Sequence, residues 1–226
     1  MKLYSADLSP YSAKVRMVVY AKGLDHIAVT PPEGFLTPAW REASPSAIGR
    51  LPMLELDDGH VIPESSVIAE YLEETHPEPR LLGATACESA TVRALANVAD
   101  LYLTANVFMM TGGQGRPPTT GPVRERALAG IARGVDSLER MVDGDCGFAC
   151  LGRLTLADCA LVPALFMLEN VVPAVGADSP IPASPKIAAY WAAIQQQPMA
   201  ARVLAEMRRG LQARIEAVQR AEAAPT

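Results

Sequence analysis

The pattern of apolar residues changes near residue 80 of this 226-residue chain. Before that point, short apolar runs typical of strands alternate with helical patterns, and after it nearly every segment has a helical pattern. The segment between the two parts, "THPEPRLLGATA" at residues 75–86, holds two prolines and a glycine, which is typical of a connection. The sequence therefore predicts an α/β domain at residues 1–78, a linker at residues 79–86 and an all-α domain at residues 87–226.

The first domain has the predicted order βαβ followed by ββα. A helix between the first two strands is predicted to begin at Ser9 as its cap and Pro10 as its first residue, and to stop at Gly23. The next two strands flank Asp58 and Gly59, a strong hairpin signal. This order predicts a thioredoxin-like domain with a mixed sheet covered by helices.

The helix predicted from "SSVIAEYLEETHP" closes this domain. Either Ser65 or Ser66 is expected to cap it, because serine favours the position before a helix. Pro77 is expected to end it. The residues expected to form its apolar face are Val67, Ile68, Tyr71 and Leu72.

Composition excludes several classes of partner. The formal net charge is −5 and no dense run of Lys and Arg occurs, so nucleic acid is not a predicted partner. No apolar run reaches the roughly 18 residues that a membrane-spanning helix needs. The first residues, "MKLYSADLSP", lack the apolar core of a signal peptide. We therefore expect a cytoplasmic protein with no membrane partner.

The four cysteines, Cys87, Cys146, Cys150 and Cys159, do not have the spacing of a common metal site. Only the pair in "CGFAC" suggests metal or redox chemistry, and no histidine is near it in sequence. We expect buried or idle thiols and no bound metal.

Four segments carry a resemblance to a known family. "SPYSAKVRM", "ASPSAIGR", "LPMLELDDGHVIPESSVIAEYLEE" and "LTLADCALVPALF" occur in this order and at separations that resemble the glutathione S-transferases. The resemblance covers nearly the whole chain and is closest to bacterial, serine-type, theta- or zeta-like members. It implies a thioredoxin-like domain that binds glutathione as co-substrate, an α-helical domain and a symmetric homodimer.

The resemblance assigns glutathione-binding roles to five residues. Pro52 is a cis proline in the family, and Leu51 before it would pair with the cysteinyl main chain of glutathione. Ser65 would bind the γ-glutamyl carboxylate at a helix N-terminus, and Glu64 the ammonium group. Arg50 would pair with the glycyl carboxylate.

Ser9 stands where serine-type members carry their catalytic hydroxyl. A thiol of pKa about 8.5 is only slightly ionised at neutral pH. A hydroxyl donating to the sulfur, together with a helix N-terminus, would stabilise the thiolate. Capping and catalysis by Ser9 are expected to be compatible in different states but also to compete, because one hydroxyl proton cannot serve two acceptors. Ser12 is the alternative catalytic hydroxyl. Position 9 is not cysteine, which argues against a mixed disulfide with the protein.

The hydrophobic substrate is expected to lie between the two domains. The helix at residues 98–118 faces the cleft in the family, so Tyr102, Asn106, Met109 and Met110 are candidates to line it, together with Tyr11 from the first domain. Met suits a loosely specific apolar pocket, but a stripe of this kind also suits a packed core. By the same resemblance, Asp100 would reach the glutathione of the partner subunit.

The sequence predicts a glutathione S-transferase that acts on a small apolar electrophile. A zeta-like isomerase and a reductive dehalogenase are alternatives, although the isomerase typically has a second serine and a cysteine where this chain has Pro10 and Tyr11. A non-catalytic carrier of glutathione or another ligand is the alternative outside the enzymes. Thr155 and Asp158 in "LTLADC" form a predicted capping box with a structural role.

Overall fold

A computed structural model describes residues 1–35, 37–46, 48–112, 117–143 and 147–223. The strands are β1 (Lys2–Tyr4), β2 (Ala28–Thr30), β3 (Met53–Glu55) and β4 (Val61–Pro63), and the helices among them are α1 (Pro10–Ala21), α2 (Pro38–Ala43) and α3 (Ser65–Thr75). The later helices are α4 (Ala86–Val98), α5 (Ala105–Thr111), α6 (Gly121–Met141), α7 (Leu156–Asn170), α8 (Pro185–Ile194) and α9 (Pro198–Ala223). A π-helical segment, Ala99–Thr104, joins α4 to α5, and single 3₁₀ turns occur at Pro173–Val175 and Ile181–Ala183.

The four strands form one mixed sheet in the order β2-β1-β3-β4. β1 pairs in parallel with β2, whereas β3 is antiparallel to both β1 and β4. The first third of the chain thus has the βαβ and ββα arrangement that the sequence predicts. The thioredoxin-like fold followed by helices is confirmed.

Helix α1 begins and ends where its sequence predicts. The Ser9 side chain accepts a hydrogen bond from the Ser12 amide, and Pro10 is the first helical residue. Gly23 follows the last turn with a φ of 63°, a conformation that glycine adopts at little steric cost.

Helix α3 differs from its prediction at the cap. Glu64 occupies the cap position, and Ser65 is already the first helical residue. The backbone φ of Glu64 is 68° and its side chain makes no capping hydrogen bond. The prediction of Ser65 or Ser66 as the cap is wrong. The turn after β4 ends at Glu64, which has a left-handed φ, and the helix already begins at Ser65.

The buried face of α3 also differs from the prediction at one residue. Ile68 and Leu72 are fully buried, as expected, but Val67 is 53% exposed. The helix buries the row formed by Ile68, Ala69 and Leu72, and Val67 lies outside this row. Helix α3 ends at Thr75, two residues before Pro77, as predicted.

Helix α7 lies at the centre of the helical part. All residues from Leu156 to Leu168 are buried, and the helix packs against both α1 and α4. At its start, the buried Asp158 carboxylate accepts hydrogen bonds from the Thr155 amide at 2.8 Å and the Thr155 hydroxyl at 2.9 Å. The predicted capping box is therefore present, and its buried position agrees with a structural role.

The segment predicted as a linker is fixed to both parts of the fold. Lys22, directly after α1, donates to the Pro79 carbonyl oxygen at 3.0 Å. The Glu73 carboxylate in α3 accepts from the Leu81 amide at 2.9 Å. From the other side, Arg153 donates to the Leu82 carbonyl oxygen at 2.5 Å. These contacts hold residues 79–82 between the two parts, and the domain boundaries themselves stay predictions.

Within the described ranges, no helix has the length and hydropathy that a membrane crossing requires. The cysteines that the structure describes are free thiols, with Cys87 exposed and Cys150 and Cys159 buried. Burial raises the pKa of Cys150 to about 11, so this thiol stays protonated near neutral pH. Cys146 lies outside the described residues.

Candidate active site

The sheet register brings three loop residues to one edge. Met53 pairs with Tyr4 on one side and with Pro63 on the other. Because these strands are antiparallel, Ser5 after β1, Pro52 before β3 and Glu64 after β4 lie next to one another. The Leu51–Pro52 peptide bond is cis, as the family resemblance implies.

Ser9 and Ser12 lie on the first turn of α1 in different environments. Ser9 is half-buried, and its Oγ accepts from the Ser12 amide at 3.3 Å. Ser12 is fully buried, and its own Oγ accepts from the Ala6 amide at 3.5 Å. Only Ser9 of these two has a surface from which it can reach a ligand. The Tyr4 phenol instead donates to Glu55 at 2.7 Å within the sheet.

Capping does not compete with donation at Ser9. In the cap, the Ser9 oxygen accepts a hydrogen bond through a lone pair. A hydroxyl has one proton and two acceptor lone pairs, so the proton is not used by the cap. The competition expected from the sequence is wrong for this reason, and Ser9 can cap α1 and donate to a ligand at once.

The start of α3 supplies groups suited to the γ-glutamyl end of glutathione. Ser65 is buried at the N-terminus of an 11-residue helix, where free amides favour a carboxylate. The exposed Glu64 carboxylate lies beside it and favours an ammonium group. Glu64 is a non-glycine residue in the left-handed region, a conformation that costs energy and that clusters at ligand sites.

The Tyr11 phenol connects these groups with the helical part. Tyr11 is half-buried, and its pKa is raised to about 12, first by burial and then by the negative charges of Asp100 and Glu64, with Arg50 acting in the opposite direction. Charges from three separate segments therefore act on this one hydroxyl. This places Arg50 and Glu64 in the same electrostatic environment as the start of α1.

The Tyr11 ring also stacks on Phe108 of α5, with centroids 5.9 Å apart and planes at 29°. Phe108 was not among the residues expected at the cleft, because in sequence it is one aromatic residue in an apolar stretch. Its contact with α1 shows that Phe108 lies on the side of α5 that faces the sheet-bearing part.

Lys14, Ser66 and Asp100 form a second contact between the two parts of the fold. The buried Lys14 ammonium donates to the Asp100 carboxylate at 2.5 Å and to the Ser66 hydroxyl at 2.9 Å. The Ser66 hydroxyl donates to Asp100 at 3.1 Å. The sequence signal that could have found Lys14 is the presence of two cations, Lys14 and Arg16, in a helix whose other residues are mostly apolar. Asp100 thus has partners within its own chain, and its expected role toward a partner's glutathione stays a prediction.

The other residues expected to line the cleft have different positions. Met110 is fully buried in the core, so it has no surface for a substrate. Tyr102 and Met109 are 39% and 38% exposed. The Asn106 amide donates to the Tyr102 carbonyl oxygen at 2.7 Å and lies against Gly130 of α6. The Asn106 side chain is thus bonded to the π-helical segment that precedes α5.

Among the residues that the structure describes, no group of three His, Cys, Asp or Glu side chains could hold a metal ion. The groups collected around Ser9 and Tyr11 are instead a hydroxyl, helix N-termini, a carboxylate and aromatic rings. The carboxylate and the helix N-termini suit the charged ends of a zwitterionic peptide, and the aromatic rings suit an apolar molecule.

Comparisons with known proteins agree on the family. Residues 3–80 match the family described as "Glutathione S-transferase, N-terminal domain", and residues 121–193 match "Glutathione S-transferase, C-terminal domain". The chain is 32% identical over 172 residues to a zeta-class glutathione S-transferase of Euphorbia esula, covering 72% of this chain and 73% of that one. It is 29% identical over 177 residues to a maleylacetoacetate isomerase of Pseudomonas aeruginosa, covering 75% of this chain and 82% of that one.

A solved structure supports the same assignment over a larger part of the chain. A glutathione S-transferase of Methylobacterium radiotolerans, in complex with glutathione sulfonate, superimposes with a TM-score of 0.76 at 26% identity. The match covers 90% of this chain and 93% of that one. The chain belongs to the glutathione S-transferase family of enzymes, and within that family it is zeta-like.

Proposed function

We propose that the protein is a serine-type glutathione S-transferase that joins glutathione to a small apolar electrophile. Ser9 donates its hydroxyl proton in a hydrogen bond to the glutathione sulfur and holds it as thiolate. The N-terminus of α1 adds positive potential at the same point. The thiolate then attacks an electrophilic carbon, an S–C bond forms, and the leaving group departs with the bonding electron pair.

One observation carries this proposal: the Ser9 oxygen accepts from the Ser12 amide at 3.3 Å. This bond orients the hydroxyl and leaves its proton available for a sulfur atom. Ser12, the alternative, is fully buried and bonded to the Ala6 amide. The geometry therefore favours Ser9 as the catalytic residue.

For glutathione itself, we propose the groups that flank Ser9 in the fold. Glu64 binds the γ-glutamyl ammonium, Ser65 binds its carboxylate, and Arg50 binds the glycyl carboxylate. The main chain of Leu51 pairs with the cysteinyl residue beside Pro52. A related structure holds glutathione sulfonate, which supports a glutathione site in this fold.

A zeta-like isomerase is the second candidate, because a maleylacetoacetate isomerase is among the relatives. The charges that act on Tyr11 are those of Asp100, Glu64 and Arg50. Arg50 and Glu64 are both assigned to glutathione, and Asp100 is paired with Lys14, so these three residues leave no unpaired cation for an anionic second substrate. The stacked rings of Tyr11 and Phe108 favour an uncharged one.

The ultraviolet absorption of the glutathione thiolate tests the proposal. We expect wild-type protein to bind glutathione and to show a thiolate difference band near neutral pH. In Ser9→Ala the band moves to higher pH while the Kd of glutathione changes little. Ser137→Ala, a serine on α6 that bonds to its own helix, is the matched control.

Each result has a distinct meaning. An unchanged thiol pKa in Ser9→Ala would remove Ser9 from catalysis. Binding without ionisation in the wild type would support a non-catalytic carrier. Turnover of an anionic cis-alkene, without turnover of apolar electrophiles, would favour the isomerase.

We further propose a symmetric homodimer in the cytoplasm with a role in detoxification. The free thiols of Cys87, Cys150 and Cys159 agree with a reducing compartment. Sedimentation of the purified protein measures the oligomeric state directly.

A further inference from the structure

In the loop at residues 5–9, between β1 and α1, three consecutive residues are hydrogen-bonded to one buried side chain, that of Arg16. Arg16 of α1 is 1% exposed, and its Nη1 donates to the Ser5 hydroxyl at 2.5 Å and to the Ala6 carbonyl oxygen at 3.0 Å. Its Nη2 donates to the Asp7 carbonyl oxygen at 2.9 Å. Three consecutive residues of the loop are thus bonded to one guanidinium group.

The bond from Arg16 to the Ala6 carbonyl oxygen shares its acceptor with the Ser9 amide. The Ala6 carbonyl oxygen that accepts from Arg16 also accepts from the Ser9 amide at 3.1 Å. The Ala6 amide, in turn, donates to Ser12. The position of the Arg16 guanidinium therefore sets the turn from which the Ser9 hydroxyl projects.

The guanidinium is fixed by helix α9. The Glu206 carboxylate accepts from Arg16 Nε at 2.7 Å and from the Tyr20 hydroxyl at 2.7 Å. Glu206 is itself buried, at 9% exposure. A buried guanidinium needs a partner charge, and removing that partner leaves an uncompensated charge. Glu206 thus determines where Arg16 can lie.

Helix α9 also touches the backbone of the loop directly. A Cβ atom added to Gly210 would lie 2.5 Å from the Leu8 amide nitrogen and 2.9 Å from Asp7 Cβ. Such a close approach admits only glycine. Arg209 lies 3.6 Å from the Asp7 carboxylate at the same place. The loop is therefore in contact both with the Arg16 side chain and with α9.

We propose that α9 is a positioning element for Ser9, in which Glu206 acts through Arg16 and Gly210 acts through the Asp7–Leu8 backbone. This inference rests on the proposed function of Ser9. Glu206 and Gly210 are positioning residues, since Glu206 acts on the loop through Arg16, Gly210 contacts the loop backbone, and neither is among the groups proposed to bind the ligand. The proposed glutathione groups on α3 and beside Pro52 belong to other elements, so a disturbance of α9 affects thiol ionisation more than glutathione binding.

The test compares Glu206→Gln with Glu216→Gln, the same change on the exposed part of α9. With glutathione as the probe, we expect Glu206→Gln to raise the pKa of the bound thiol. At a pH below the wild-type thiol pKa, we expect kcat of Glu206→Gln to fall about 10-fold. This is less than the roughly 100-fold loss that a 1 Å misplacement of a catalytic group can cause, because the loop keeps its contact with Gly210. The Kd of glutathione should change by less than about 2-fold, and Glu216→Gln should match the wild type.

Gly210→Ala is the second variant, in case Glu206→Gln does not fold. Alanine in a helix interior ordinarily stabilises by favouring the helical backbone. Here its Cβ must displace Leu8, so we expect a higher thiol pKa and a lower kcat. A raised Tm of Gly210→Ala together with an unchanged thiol pKa would show that the approach of Gly210 to Leu8 does not position Ser9, and would overturn this part of the inference.

The outcomes separate this inference from the proposed function. If wild-type protein ionises bound glutathione and both variants keep its thiol pKa, then α9 does not position Ser9. If the Tm falls and the thiol pKa stays constant, the network is only structural, which also overturns the inference. If the wild type does not ionise glutathione at all, the proposed function itself fails.

Discussion

The ring of Tyr11 in α1 stacks on the ring of Phe108 in α5, with a centroid separation of 5.9 Å. This pair links the sheet-bearing part to the helical part close to Ser9. It places an apolar surface where the second substrate of the proposed reaction would lie. The same two rings therefore pack the two parts of the fold together and form part of the proposed binding surface for an apolar substrate.

Phe108→Ala is expected to raise the KM for an apolar aromatic electrophile by roughly 2- to 12-fold, the range that corresponds to an aromatic pair of about 0.5–1.5 kcal/mol. The Kd of glutathione should stay constant, because Phe108 is not among its proposed ligands. Steady-state kinetics with each substrate varied in turn measures both. Met109→Ala, at the exposed neighbouring residue, is the comparison. A larger effect of Met109→Ala would place the apolar surface on the other side of α5.

Glu64→Gln is expected to weaken glutathione binding by roughly 10- to 150-fold, since a hydrogen bond to a charged group contributes about 1.5–3 kcal/mol. The change keeps the size of the side chain and removes its charge. Isothermal titration with glutathione, and with an analogue that lacks the γ-glutamyl amino group, measures the difference. The wild type should prefer glutathione, and the variant should bind both ligands equally.

The control for this experiment is Glu70→Gln on the same helix. Glu70 is paired with Arg93 at the surface and lies outside the proposed site. A variant at Glu64 that still prefers glutathione over the analogue would contradict the assignment of the ammonium group.

Asp158→Asn is expected to destabilise the fold by roughly 2–4 kcal/mol without changing the KM for glutathione. The buried carboxylate accepts from Ala149, Thr155 and the Tyr190 hydroxyl, and an amide group cannot accept all of these bonds. Each buried donor left without an acceptor costs about 1–3 kcal/mol. Denaturant unfolding of the variant and of Asp136→Asn, an exposed control on α6, measures the difference.

A loss of catalysis in folded Asp158→Asn would show that this residue has a role beyond structure. Burial raises the pKa of Asp158, although the bonds to Ala149 and Thr155 act in the opposite direction. The asparagine variant removes the charge and one acceptor oxygen together, so its lower stability measures their combined contribution to the start of α7.

Local patterns predicted the helix start at Ser9 and Pro10, the hairpin at Gly59 and the capping box at Asp158, because each depends on residues close together in sequence. The cap of α3 was missed because Glu64 adopts a left-handed φ that favours glycine, and nothing in the residue type predicts this conformation. The sequence pattern left open whether Met110 lines the cleft or packs in the core, because a helix with several apolar sides does not indicate which side meets the core.

The sequence by itself determined the fold class, the family and the position of Ser9, since these follow from local pattern and from motifs in a characteristic order. Only the tertiary structure decided that Ser12 is buried, that Phe108 meets Tyr11, and that Glu206 reaches the loop before Ser9 through Arg16. These contacts join residues that are far apart in the chain. Their partners are selected by packing between helices, and that selection leaves no local signal in the sequence.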